Sequence, residues 1–189
     1  MHAAATEIVD PQHVTEASRD AMLRGDRATR LLGIEVQAVG PGSATLSMRV
    51  REDMLNGHDI CHGGLVTTLA DRAFAFACNA YNEVTVASGF DVNLMAAAKL
   101  SDLLTANARE ISNASRTGVF DIEVRNQRGQ SVAVFRGRSH TMKGKPLFEG
   151  LPMGKQMHEL AEKQAGKQTD KQTDKQTDKQ MDKHTPSLP

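Results

Sequence analysis

Between Leu65 and Ala80 the apolar residues fall at steps of three and four: Leu65, Leu69, Ala73, Phe76, Ala77 and Ala80, with Val66, Ala70, Phe74 and Cys78 filling the flanks. That spacing predicts a helix, and one apolar nearly all round is a buried one. On either side the period changes to two. Along 43–51, Ala44, Leu46, Met48 and Val50 alternate with Thr45, Ser47 and Arg49, and Gly40-Pro41-Gly42 separates this run from 34–39, which predicts a hairpin with one solvated face. Further strands are predicted at 84–94, 104–112, 117–126 and 131–142, with Ala106 and Ala108 inward against Asn107 and Arg109, and a turn at Arg128-Gly129. A hairpin, one long buried helix and then meandering strands predict an α+β fold, an antiparallel sheet wrapped around that helix. Ahead of it, 11–32 reads as a helix broken near Gly25, a packing flap with Leu23, Leu31 and Leu32 facing inward.

A polar, glycine-bearing loop, Asn56 to Gly64, runs straight into the central helix, and Asp71 interrupts the helix two turns along. Gly63-Gly64 is either a turn of unusual dihedrals or a bare backbone open to a ligand. Asp71 either pairs with Arg72 or serves chemistry. Taken together they suggest a site, because a helix N-terminus offers unpaired N–H groups to a developing oxyanion and a carboxylate supplies a base or nucleophile. Eight residues of helix rise about 12 Å, so one carbonyl cannot touch both. If they share a site, it joins the loop of one subunit to the helix of another across a two-fold interface, which makes the protein a dimer.

Charge narrows the partners. The chain has 23 basic and 23 acidic residues, of which 155–189 holds 7 and 6, leaving 16 and 17 in the rest. Neither a basic excess nor aromatic residues interleaved with basic ones favours nucleic acid. No basic flank with an apolar run marks a secretory signal, no apolar stretch reaches membrane-spanning length, and two cysteines are too few for a disulfide framework. A cytoplasmic protein with free thiols is expected. From 167 to 182 the chain repeats KQTD, KQTD, KQTD, KQMD, which stacks like charges at i,i+4 and offers only Met181 to bury. Residues 1–10 are therefore expected to be a loose end, 11–146 the folded domain and 147–189 a disordered low-complexity tail.

Two further patterns carry alternative chemistry. His58-Asp59-Ile60-Cys61-His62 imitates the HExxH zinc signature, but the glycines on both sides oppose the helix that motif needs. Cys61 beside His62 suggests a thiol nucleophile, although adjacent side chains seldom point at each other. Asn56-Gly57 is a turn signal whose carboxamide is also a candidate donor to a carbonyl.

The run MLNGHDICHGGLVTTLADRAFAFACN, followed by TGVFDIEVRNQRGQSVAVFRGRSH, resembles the hotdog-fold acyl-CoA thioesterases of phenylacetate degradation, the PaaI type, over roughly 21–143. The resemblance implies a hotdog fold and hydrolysis of an aryl-acetyl-CoA or hydroxylated aryl-acetyl-CoA to the free acid and coenzyme A. It implies homodimers, often paired into homotetramers, with sites at the dimer interface and no cofactor or metal. By position, Asp71 matches the carboxylate that activates water or attacks the thioester. Gly63 matches the N–H that polarises the carbonyl, with Asn56 assisting and His62 positioned beside them. Some relatives use a hydroxyl on the following strand where this chain has Ala87, with Ser88 next to it. Many carry a proline after that strand, where this chain reads Met95-Ala96-Ala97-Ala98-Lys99.

Gly64, Leu55 and Ser88 are the expected substrate contacts, with Leu65, Phe74 and Tyr81 as further candidates for an acyl slot. Lys99 and Arg116, together with Arg109, Arg136 and Arg138, are candidates for the coenzyme A phosphates. A hotdog hydratase or dehydratase using His62 and Asp71, and a non-catalytic acyl-CoA-binding module, are the alternatives.

Overall fold

A computed structural model describes residues 9–160 apart from 115, 155 and 158. Most of the expected N-terminal loose end, and the KQTD repeats, lie outside the described residues. Helices α1 (Pro11–Gly25) and α2 (Arg27–Leu32) lead into strands β1 (Glu35–Gly40) and β2 (Ser43–Arg49). Helix α3 (Gly63–Cys78) follows, then β3 (Thr85–Leu94), β4 (Leu103–Ala114), β5 (Thr117–Asn126) and β6 (Ser131–Thr141). The six strands form one antiparallel sheet in the order β1-β2-β4-β5-β6-β3, and α3 packs against all six. Among the described residues no helix is long and apolar enough to cross a membrane.

The core follows from alternation on the strands and small residues on the helix. Ala44, Leu46, Met48, Leu104, Ala106, Ala108, Phe120, Ile122 and Val124 turn inward and are buried against Val66, Leu69, Ala70, Ala73 and Ala77 of α3. Phe74 lies edge-on to Phe120 at 5.4 Å between ring centroids and tilted to Phe135 at 6.0 Å. Gly137 makes room for it: a Cβ there would stand 2.7 Å from the Phe74 ring, so any larger residue would displace the helix's principal aromatic anchor.

Helix ends are capped by side chains. Asp10 accepts from Gln12 N–H with Pro11 at the first turn, and Gly33 ends α2 in the left-handed region at φ 65°. At the far end of α3, Asn79 Nδ2 donates to Ala75 O at 2.9 Å and Thr85 O at 2.8 Å, while its Oδ1 accepts from Thr85 N at 2.9 Å. One buried carboxamide thus joins the end of the helix to the start of β3.

Three expectations are corrected. The break between α1 and α2 is where glycine predicts it, but Leu31 is 77% exposed, because inward-facing Thr29 lies two residues, about 200°, away on α2. Leu23 and Leu32 do pack on the core. Ser47, expected on the solvated face, is buried under Gln37, which donates to its hydroxyl at 2.8 Å. Finally, the packed unit runs past 146. Met157 is buried with Val14 and Tyr81, flanked by Phe148, Leu151 and Leu160. Asn82, at φ 53°, donates from Nδ2 to Phe148 O and Leu151 O and accepts from Phe148 N.

Candidate active site

The loop before α3 is closed by its own backbone. Leu55 and Cys61 form an antiparallel bridge, Asn56 N donates to Ile60 O at 2.9 Å, and His62 N donates to Met54 O at 2.9 Å. The left-handed residue of this turn is Asp59, at φ 56°, and not Gly57. Asn56 Oδ1 accepts from His58 N at 2.9 Å, which leaves its Nδ2 as a donor with no partner among the described residues.

His62 is the N-cap of α3. Its Nδ1 accepts from Gly64 N–H at 3.2 Å, so that ring nitrogen carries no proton. Gly64 N–H is therefore occupied, and Gly63 is the glycine whose N–H has no acceptor among the described residues. The zinc-like His58 and His62 stand in this loop and at its cap rather than on one helical face. Cys61 is buried, its thiol lies 3.8 Å from His62 O rather than against the imidazole, and burial pushes its pKa up, all of which oppose a thiolate nucleophile.

Asp71 lies on the face of α3 that the sheet leaves open. Gly64, Thr67, Thr68, Asp71 and Ala75 form a stripe of small and polar residues, half-buried or exposed, opposite Ala70, Ala73 and Ala77. Thr67 and Thr68 hydroxyls donate back to Gly63 O and Gly64 O, each at 2.8 Å. No hydrogen bond or ion pair reaches the Asp71 carboxylate among the described residues. Burial raises its pKa above the usual aspartate value, opposed by the neighbouring Arg72 guanidinium. Cys78, two turns on, is pushed up to about 12, chiefly by burial with the Asp71 charge adding to it, and stays a thiol.

The remaining candidates divide between the two ends of the sheet. Leu55 and Leu65 pack on the core beside the loop, and Lys99 is bridged to Ile60, so these three are brought to the Gly63 end. Leu94 at the same end pairs with Ala133, which pairs with Val124, whereas Arg116 adjoins Thr117 at the other end of β5. Seven residues of strand separate Val124 from Thr117, roughly 24 Å, so one subunit does not bring Lys99 and Arg116 together. Ser88 sits in a bulge of β3 with its hydroxyl donated to Arg138 O at 3.1 Å. Phe74 is core, and Tyr81 packs at the C-terminal end of α3 with Val14 and Met157, so neither lines a slot at Gly63.

Arg109, Arg136 and Arg138 belong to a different surface. Asp91, Arg136, Asp121 and Arg109 are in register across four strands, and Arg136 holds Asp121 through two bonds of 2.6 and 2.7 Å while Arg138 holds Asp91 at 2.6 Å. The ladder borders a concavity of about 650 Å³ on the sheet face away from α3. Its charges are spent on one another, and it is separated from Gly63 and Asp71 by the sheet itself.

The residues of the site that pattern alone misses are Thr67 and Leu94. Thr67 carries no motif signal. Leu94 reads as a strand end, yet its side chain lies against Gly63.

A family model described as the thioesterase superfamily matches residues 58–133, from the loop through α3 to β6. The acyl-coenzyme A thioesterase PaaI of Escherichia coli K12 is 40% identical over 132 residues, 70% of this chain and 94% of that protein. The structure of the E. coli PaaI protein from the phenylacetic acid degradation operon superposes with a TM-score of 0.71 at 39% identity, covering 72% of this chain and 99% of that one. A mutant structure of the phenylacetic acid degradation protein PaaI from Thermus thermophilus gives 0.59 at 32% identity, covering 61% and 98%. An open carboxylate on a sheet-wrapped helix, an unengaged N–H at that helix's start and this extent of identity lead to one assignment: the chain belongs to the hotdog-fold acyl-CoA thioesterases of the PaaI type and is a thioester hydrolase.

Proposed function

We propose that the enzyme acts in the cytoplasm on aryl-acetyl-CoA or hydroxylated aryl-acetyl-CoA thioesters, as part of aromatic catabolism, with Asp71 of one subunit and Gly63 and Asn56 of its partner at each site. The observation that carries the catalytic part is the half-buried Asp71 carboxylate, unpaired on the open face of α3. A buried acid without a partner is costly unless it serves a purpose. The substrate part rests on the PaaI relative and its phenylacetic acid operon.

A water placed at Asp71 gives up a proton as its oxygen bonds to the thioester carbon. The carbonyl oxygen becomes an oxyanion, which the Gly63 N–H and Asn56 Nδ2 stabilise by hydrogen bonds aimed at the charge as it forms. The carbon–sulfur bond then breaks, the acid departs and the coenzyme A thiolate takes up a proton. In the alternative order the Asp71 oxygen itself attacks, and water hydrolyses the resulting anhydride. His62 fixes the start of the helix through Gly64, leaving Gly63 free to donate.

Two surfaces support the dimer. The open stripe of α3 runs beside the free edge of β3, and Val86, Phe90, Leu94 and Met95 there are 43–62% exposed. An unpaired strand edge carrying apolar side chains is a surface that a second copy covers. A two-fold axis there brings a second loop towards Asp71, which meets the separation of about 12 Å. Pairing of such dimers into a homotetramer completes the proposed assembly.

Thiol release from phenylacetyl-, hydroxyphenylacetyl-, benzoyl- and short aliphatic CoA esters tests this. Faster release from the aryl-acetyl esters, absent in Asp71→Ala, is expected. Preference for the aliphatic esters would overturn the substrate, and turnover by Asp71→Ala would overturn the role of Asp71.

A further inference from the structure

Arg72 follows Asp71 on α3, about 100° further round the helix. An arginine beside a catalytic carboxylate is a hazard, because an ion pair would quench the base. The flap prevents that pair. Arg72 Nε donates to Thr29 Oγ1 at 3.0 Å, a guanidinium nitrogen is ion-paired with Asp26, and the guanidinium lies over the Phe76 ring, 5.0 Å from its centroid. Asp26 is itself held. As the N-cap of α2 it accepts from Thr29 N at 3.0 Å and Thr29 Oγ1 at 2.5 Å. Its side chain is 11% exposed and that of Arg72 is 19% exposed, so neither charge is left mainly to water.

We propose that Asp26 and Thr29 are positioning residues for Asp71 that act through Arg72: the flap holds the guanidinium turned away from the carboxylate and supplies the anion that balances it. This rests on the role given to Asp71 above. The charged and titratable groups around the two side chains are few. On α3 they are Arg72 and Cys78, and on α2 they are Asp26 and Arg30. Strand β3 turns Phe90, Val92 and Leu94 towards the helix and keeps Asp91 on its outer face with Arg138. The proposed dimer adds His62 of the partner subunit. Asp26 titrates below the usual aspartate range, because two bonds from Thr29 and the charges of Arg72 and Arg30 outweigh its burial, so it is an anion wherever an ordinary aspartate is one.

With Asp26 in place, the Arg72 charge that reaches Asp71 is partly balanced. With Asp26 neutral, Asp71 sees an unbalanced cation on the adjacent residue. In Asp26→Asn the acid limb of the kcat/KM profile is therefore expected about 0.5–1 pH unit lower. Maximal kcat should fall about two- to fivefold, since a weaker base drives proton transfer less well.

The test measures pH profiles of wild type, Asp26→Asn and Asp26→Asn/Arg72→Gln, with circular dichroism and elution volume as folding controls. Return of the acid limb in the double variant is the decisive result, because a loosened flap would not be repaired by deleting a second contact. An acid limb unmoved in Asp26→Asn, or equally displaced in the double variant, overturns the proposal. If Asp26→Asn does not fold, Thr29→Val carries the comparison, deleting one hold on Arg72 while keeping every charge. A smaller downward shift is then expected, and none would overturn it. Asp71→Asn separates the two readings: an active Asp71→Asn removes the catalytic assignment, whereas an inactive one beside an unmoved Asp26→Asn removes only this inference.

Discussion

Gly63 and Leu94 are packed so closely that a Cβ on residue 63 would stand 2.5 Å from Leu94 Cδ1. The helix start and the exposed end of β3 thus share one surface, and the N–H assigned to the oxyanion emerges beside an apolar side chain. A proline at 63 would delete that N–H while suiting the first turn of a helix, and His62, at ψ 127°, already has the extended conformation that precedes proline. Shortening Leu94 makes the space. Gly63→Pro in a Leu94→Ala background is expected to fold like Leu94→Ala and to lose about 10²–10³ in kcat relative to it. Equal turnover numbers in the two variants would remove Gly63 from the mechanism.

Asp71 has a stability signature separate from its chemistry. Burial raises its pKa in the folded enzyme above the unfolded value of 3.8. Ionisation is thus costlier in the folded state, so the wild type is relatively most stable below pH 3.8 and loses that advantage as pH rises through the raised pKa. Asp71→Asn bears no such cost. Its Tm is expected to match the wild type at the acid end and to exceed it by about 2–4 °C at pH 7, with turnover down about 10²–10⁴-fold. A constant Tm difference across the pH range would contradict the burial account.

Asn79 offers the sharpest structural test. Removing its carboxamide strands Thr85 O and Thr85 N at a buried junction, while Ala75 O keeps the bond from the Asn79 backbone N–H. Asn79→Ala is expected to cost about 2–4 kcal/mol in chemical denaturation, while Asn79→Asp retains only the acceptor half and falls between. Losses within experimental error of zero would mean that water satisfies these groups.

The sheet and the central helix were legible because both obey simple periods: two along β2, β4 and β5, three and four along α3. The junctions were not. Leu31 reads as core because it is leucine in an apolar pair, and only the six-residue length of α2, pinned by Asp26 and Thr29, turns it outward. Residues 147–160 read as tail because their apolar residues, Leu147, Phe148, Leu151, Met153, Met157 and Leu160, follow no strand alternation and lead into the KQTD repeats, yet Asn82, 66 residues before Phe148, gathers their backbone into a second small core. Long-range partners of this kind leave no local pattern. The candidate site divides in the same way. Gly63, Asn56 and His62 are neighbours in sequence and were found together, whereas the contact of Leu94 with Gly63 and the hold of Asp26 on Arg72 join distant segments.

The distribution of basic side chains makes a last prediction about substrate binding. Lys99 is exposed, fixed to the loop by the Ile60 bridge and by its own N–H donated to Asp102 Oδ2 at 2.9 Å, and its ammonium has no anion among the described residues. Arg116 is exposed too, at the opposite end of the sheet. If the coenzyme A phosphates lie at the loop end, Lys99→Ala should raise KM about two- to tenfold at unchanged kcat, and the difference should shrink as added salt screens the contact. Arg116→Ala should then leave KM within about twofold. The reverse pattern would place the phosphates at the far end of the sheet, roughly 24 Å away in one subunit, where only a substrate laid across the dimer could reach both them and the loop.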